Sequence, residues 1–61
     1  MKYTIVVQAI AEDGEAIFVG RTTVRAETEE QARSRAINRL WDDRLTSAGC
    51  RAVAAVIGCV P

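Results

Sequence analysis

The sequence predicts an α+β domain of order ββαβ, a three-stranded sheet with one helix packed on one face. Three observations carry this expectation. The chain opens on strict alternation, with Tyr3, Ile5, Val7 and Ala9 set between Lys2, Thr4 and Gln8, which is the period of a half-buried strand. An Asp13-Gly14 pair then separates two β-rich segments. Finally, Thr28-Glu29-Glu30-Gln31 opens a segment whose apolar residues recur at helical spacing, the signature of a capping box.

Each element follows in order. Residues 2–11 read as the first strand, and Glu12-Asp13-Gly14-Glu15 as a tight two-residue hairpin turn, because Asp-Gly supplies the positive φ angles such turns need. Residues 16–26, rich in Ile, Phe, Val and Thr, form the returning strand. Gly20 within it marks a bulge or a close approach of another backbone. The helix is expected over 29–46. Glu29 and Glu30 suit the positive end of its dipole, and Ala32, Ala36, Ile37, Leu40, Trp41 and Leu45 make one apolar stripe. Glu29 with Arg33 and Arg39 with Asp43 stand at i, i+4 spacing, where an ion pair adds a few tenths of a kcal/mol. Gly49 ends the helix, as the left-handed closing residue commonly does. Residues 51–60 are small or β-branched and form the last strand, which pairs beside the first in a direction the sequence leaves open.

Sixty-one residues make one domain, spanning 1–61, with a thin core. Such a core rarely contributes more than about 3–5 kcal/mol unaided, so a homodimer or a larger partner is a natural source of further stability. It leaves no interior room for a substrate pocket of roughly 300 Å³. The segment after Lys2 alternates and lacks the continuous apolar run of a signal peptide. The apolar stretch from Ala52 to Cys59 is too short to cross a bilayer. A cytoplasmic protein with no membrane partner is the resulting expectation, and the initial Met reads as the start of a complete short gene product.

Strand parity divides the surface. With Tyr3, Ile5, Val7 and Ala9 under the helix, Phe18, Val24 and Ala26 are expected to join them from the second strand. Lys2, Thr4, Val6, Gln8, Ile10, Ile17, Val19, Arg21, Thr23 and Arg25 then fall on the opposite face, which no remaining segment covers. A one-layer sheet with exposed aliphatic and basic residues is a candidate interaction surface. The alternative is a bulge at Gly20 that reverses parity and buries Ile17 and Val19.

Little in the composition supports catalysis. There is no His, hence neither the usual general base nor the commonest metal ligand. Cys50 and Cys59 lack the spacing and company of a zinc set. They have opposite parity on the predicted strand, which points them to opposite faces, so core or edge cysteine is favoured over an intermolecular disulfide. Asp42-Asp43 and Glu12, Asp13 and Glu15 read as solvated charge, and Gly14, Gly20, Gly49 and Gly58 form no phosphate-binding motif. A non-enzymatic protein without cofactor or metal is therefore expected. Eight basic and eight acidic side chains cancel, which weakens the case for nucleic acid. Seven of the eight basic residues are Arg, however, and Arg is enriched at protein interfaces.

Two resemblances add to this reading. Met1-Lys2-Tyr3-Thr4-Ile5-Val6-Val7, the Glu12-Asp13-Gly14 turn and the helix from Thr28-Glu29-Glu30-Gln31-Ala32 to Leu40-Trp41 resemble the N-terminal domain of HicB-like antitoxins over the first two-thirds of the chain. The Pro-Gly-Cys segment that usually precedes the helix in that family is missing here. This resemblance implies a small αβ module that binds a toxin. Val24-Arg25-Ala26-Glu27-Thr28, leading into Ala32 and Ala36, is similar to small phage-encoded inhibitors that include anti-CRISPR proteins. That resemblance implies an inhibitor occupying a subunit of a CRISPR effector complex, and it assigns no residue a role. The favoured expectation is a protein-binding inhibitor of phage or mobile-element type. Arg21, Arg25, Arg35 and Arg39 form its charged contacts, and Val6 and Ile10 its apolar centre. An antitoxin-like regulatory module is the alternative, and direct nucleic-acid binding through the same arginines is the third.

Overall fold

Strand β1 (Lys2–Ile10) alternates buried and half-buried residues from Tyr3 onward because it is the middle strand of the sheet. β2 (Ala16–Arg25) and β3 (Arg51–Val60) pair antiparallel on either side of it, giving the order β2-β1-β3. Helix α1 (Glu29–Leu40) lies across one face, and the element order is the expected ββαβ with a short second helix, α2 (Asp43–Ser47), before β3. The computed structural model describes all residues, 1–61. The direction of β3 is thereby antiparallel to β1.

The core is narrow. Tyr3, Ile5 and Val7 from β1, Val24 and Ala26 at the end of β2, and Ala32 and Ala36 from α1 form one buried cluster, on which Val19, Ile37, Leu40, Trp41, Ala54 and Val56 pack in part. Alanines at i and i+4 of the helix let its backbone settle close to the sheet. The Thr28 hydroxyl accepts the Gln31 backbone N–H at 3.2 Å, as the sequence predicts, while the Gln31 side chain reaches back one residue beyond the cap and accepts the Glu27 N–H at 2.9 Å. Glu29 and Arg33 form the expected i, i+4 ion pair at 3.5 Å.

Three local expectations are corrected. The hairpin turn has three residues, not two: the Ala11 N–H donates to the Glu15 carbonyl and the Gly14 N–H to the Ala11 carbonyl, each at 2.9 Å. Gly14 takes φ 88°, which makes a type I turn closed by a left-handed glycine. The Asp13 carboxylate also accepts the Glu15 N–H.

The helix expected over 29–46 is broken. Trp41 leaves the helical region with ψ 136°, although its N–H still reaches the Ile37 carbonyl. Asp42 then caps α2 by accepting the Arg44 N–H. A carboxylate that can satisfy a nearby backbone donor competes with helix propagation, and the Trp41 indole N–H is held by the Thr46 hydroxyl at 2.8 Å across the break. The Arg39–Asp43 ion pair is consequently absent, and Arg39 bonds to β2 instead.

The third correction concerns parity. The β1–β2 register runs Val7 opposite Gly20 and then Gln8 opposite Phe18, so Val19 is an inserted residue. The alternative reading of a bulge near Gly20 is realised in its reversal of parity but not in full burial, since Ile17 stays exposed and Val19 is half-buried. Val19 packs on the core and Ile17 lies opposite Ala9, whereas Phe18, expected under the helix, shares its face with Gln8. What approaches Gly20 closely is a side chain: a Cβ there would stand 3.2 Å from Leu40 Cδ1. A second shift between Thr4 and Ile5 inserts Ile57 in β3 and places Cys59 opposite Tyr3. Cys50 precedes β3, so the strand parity expected to set the two cysteines on opposite faces does not apply to it. Both are free, and the length of β3 separates them by about 30 Å, at roughly 3.3 Å per residue.

Candidate functional site

The face of the sheet away from α1 has no second layer. By register, it carries Lys2, Thr4, Val6, Gln8 and Ile10 from β1, Phe18, Arg21, Thr23 and Arg25 from β2, and Arg51, Val53, Ala55, Gly58 and Val60 from β3. Val6 lies between Arg21 and Ala55, and Ile10 between Ala16 and Arg51. Both are half-buried by their neighbours, so each offers a side-chain tip and not a full aliphatic surface. Phe18 is 65 % exposed, more than any other large apolar side chain. Of the aliphatic residues expected here, Val6 and Ile10 are present, whereas Ile17 and Val19 have moved to the helix side.

Arg21 and Arg25 point to this open face from β2, opposite Val6 and Lys2. Arg35 and Arg39 arrive from the other side, on α1. The Arg39 guanidinium donates to the Thr22 hydroxyl and the Thr23 carbonyl, each at 3.1 Å, and the Arg35 guanidinium donates to the Arg25 carbonyl. These carbonyls lie on the outer edge of β2, so the two helix arginines close part of a strand edge that would otherwise be bare. Arg25, Arg35 and Arg39 therefore meet at one edge of the sheet, and Arg21 stands on the same strand, four residues from Arg25. Between them, Thr23, Val24, Arg25, Arg35, Asn38 and Arg39 line an open groove of about 530 Å³.

Charge pairing isolates this edge. The chain forms only two ion pairs, Glu29–Arg33 and Asp42–Arg44. Arg21, Arg25, Arg35 and Arg39 thus have no carboxylate within 4.0 Å. Glu27 lines a groove with Arg25 and Arg35 without forming an ion pair with either, and the other acidic residues sit in the hairpin turn, in the first turn of α1 and around α2.

The remaining titratable features belong to the fold. Burial raises the Tyr3 phenol above its ordinary range, with Cys59 and Glu29 adding smaller effects in the same direction. Its hydroxyl donates to the Met1 sulfur at 3.6 Å. The Arg44 guanidinium and backbone N–H hold the Asp42 carboxyl below the usual Asp range, and Asp42 raises Arg44 in return. The Asp42–Arg44 pair lies beside a second open groove, of about 400 Å³, lined mainly by Ile17, Phe18, Val19, Leu40 and Leu45.

Sequence reasoning missed Phe18 as a surface residue. Its one signal was Gly20, since a glycine inside a strand raises the prospect of a bulge that re-aims its neighbours. No helix is long and apolar enough to cross a membrane. Comparison of the chain with family models, curated proteins and solved structures finds no match.

Proposed function

We propose that this chain is a non-catalytic protein-binding inhibitor of phage or mobile-element type, most concretely an anti-CRISPR that blocks a CRISPR effector complex sterically. The observation that carries this reading is the row of four arginines without ion-pair partners along the β2 edge, three of them lining one groove. It lies beside an uncovered sheet face bearing Val6, Ile10 and Phe18. Unpaired guanidinium groups favour carboxylate or phosphate partners and present several donors in a fixed plane. An acidic surface patch on a protein subunit, with an apolar spot at its centre, matches that chemistry. Once docked, a rigid domain of this size excludes nucleic acid or a neighbouring subunit from the covered site, and no bond is made or broken.

Replacing Arg21 and Arg25 by Glu tests the reading. Both side chains are exposed and neither holds a main-chain group, so the double variant is expected to keep its circular dichroism. Partner affinity should fall by about tenfold or more, as reversing charge across an interface implies. A plasmid-interference assay in a CRISPR-positive host should show protection by the natural chain and its loss in the variant. Equal interference with and without the natural chain would overturn the anti-CRISPR assignment, and undiminished partner binding by the variant would overturn the surface.

A second reading rests on the same arginines. Four cationic side chains beside an exposed aromatic also suit a single nucleic-acid strand, which stacks on aromatics and pairs with guanidinium groups. It predicts binding to generic oligonucleotides that weakens steeply with added salt.

A further inference from the structure

The two edges of the sheet are finished differently. On β2, Arg35 and Arg39 donate to the Arg25 and Thr23 carbonyls. On β3, no side chain hydrogen-bonds to the main chain at any position from Arg51 to Val60. The strand carries a single charge, Arg51, and is otherwise Ala, Val, Ile, Gly and Cys. Long apolar edges in monomers are normally guarded by Lys, by Pro, by a bulge or by a covering loop, because their unpaired N–H and C=O groups accept another strand. The device present here is the register shift that inserts Ile57. It leaves Arg51–Val56 as a regular run with an open edge.

We propose that this run is an interface between two copies of the chain. The two β3 strands pair antiparallel about a two-fold axis through Ala54 and join the sheets into one of order β2-β1-β3-β3-β1-β2. A two-fold interface must be self-complementary, and an antiparallel strand meets that condition with its own copy. Residues directly opposite must share a face, so the axis passes through a residue. With Ala54 on the axis, Ala52 meets Val56 on the helix side, and Val53 meets Ala55 on the open side. The two Arg51 side chains then stand about 20 Å apart along the paired strands, beyond the screening length of about 8 Å. The formal charge of zero adds no net repulsion between copies.

The need for such a partner is visible in the core. Eight residues are buried, and Ile5 and Val7 are the largest side chains fully so. Domains of this size commonly draw on oligomerisation for stability. This interface lies on the opposite edge from the four arginines, so it is independent of the inhibitor reading and leaves both arginine clusters free at the far ends of the joined sheet.

Sedimentation equilibrium of the natural chain tests it. The expected mass moves from 6.6 kDa on dilution to twice that value when concentrated. Hydrogen exchange on the concentrated sample should show alternate amides of Arg51–Val56 protected, and that protection should vanish on dilution. Val53→Lys with Ala55→Lys sets like charges opposite each other and should raise the dissociation constant by about tenfold or more. Should the pair unfold the chain, Ala55→Lys alone, at an exposed position, carries the same expectation to a smaller degree. A monomer at millimolar concentration overturns the proposal, as does a dimer whose Arg51–Val56 amides exchange as freely as in the monomer.

Discussion

At the scale of single residues, two large apolar side chains on the same sheet have opposite consequences. Ile5 has no exposed surface, while Phe18 is 65 % exposed. Ile5→Ala removes packed methyl groups from the centre of a small core and is expected to cost about 2–5 kcal/mol, enough to unfold much of the population. Phe18→Ser removes a side chain that supports little and should change stability by no more than about 0.5 kcal/mol. Urea titration of both variants checks the contrast. Because Phe18 borders the proposed contact surface, Phe18→Ser should also weaken partner binding without unfolding the chain.

At the scale of elements, the break between α1 and α2 rests on few atoms. Asp42 accepts the Arg44 N–H and forms an ion pair with the Arg44 guanidinium at 2.8 Å, and its pKa is lowered in consequence. A carboxyl whose folded value is depressed contributes stability that is complete above its unfolded value. That contribution is lost as pH falls through the folded one. Chemical-shift titration should therefore show Asp42 protonating below the ordinary Asp range, with the amides of Asp43–Ser47 losing protection over the same acidic window. Asp42→Asn, which keeps a capping acceptor, should abolish the pH dependence while retaining α2.

How legible these elements were in the sequence depends on what specifies them. β1, the start of α1 and the ββαβ order are set by local patterns, alternation and a capping box, and these patterns survive folding. The end of α1 is not local in that sense: the periodic stripe continues through Leu45, and the Trp41–Thr46 bond that crosses the break exists only once the chain has turned. The arginines could be named from composition. Their convergence on the β2 edge could not, since Arg35 and Arg39 find acceptors seventeen or fewer residues back along the chain. The spacing-based pairing of Arg39 with Asp43 pointed elsewhere.

For the whole molecule, the relevant fact is that one helix packs on all three strands. α1 touches β1, β2 and β3 alike, and β1 is paired on both sides. No part of this arrangement holds a core of its own. Unfolding should accordingly be a single transition, with Trp41 fluorescence and far-ultraviolet circular dichroism giving coincident curves at a fixed chain concentration, as two-state behaviour requires.

The hairpin turn reaches further than its position suggests. Pairs near the open end of β1–β2 obey one register, Lys2 with Arg25 to Val7 with Gly20, and pairs near the turn obey another, Gln8 with Phe18 to Ile10 with Ala16. The second is the one a three-residue loop closed by Gly14 imposes, and Val19 absorbs the mismatch. A chain with a β-branched residue at position 14 would penalise that loop, because φ 88° strains any side chain there. A four-residue connection would then let one register run the full length of the hairpin, turning Phe18 under the helix and Val19 outward. The aromatic exposed on the open sheet face is thus chosen by a glycine in a loop, and variation in that loop can rewrite the proposed contact face without altering a single residue on it.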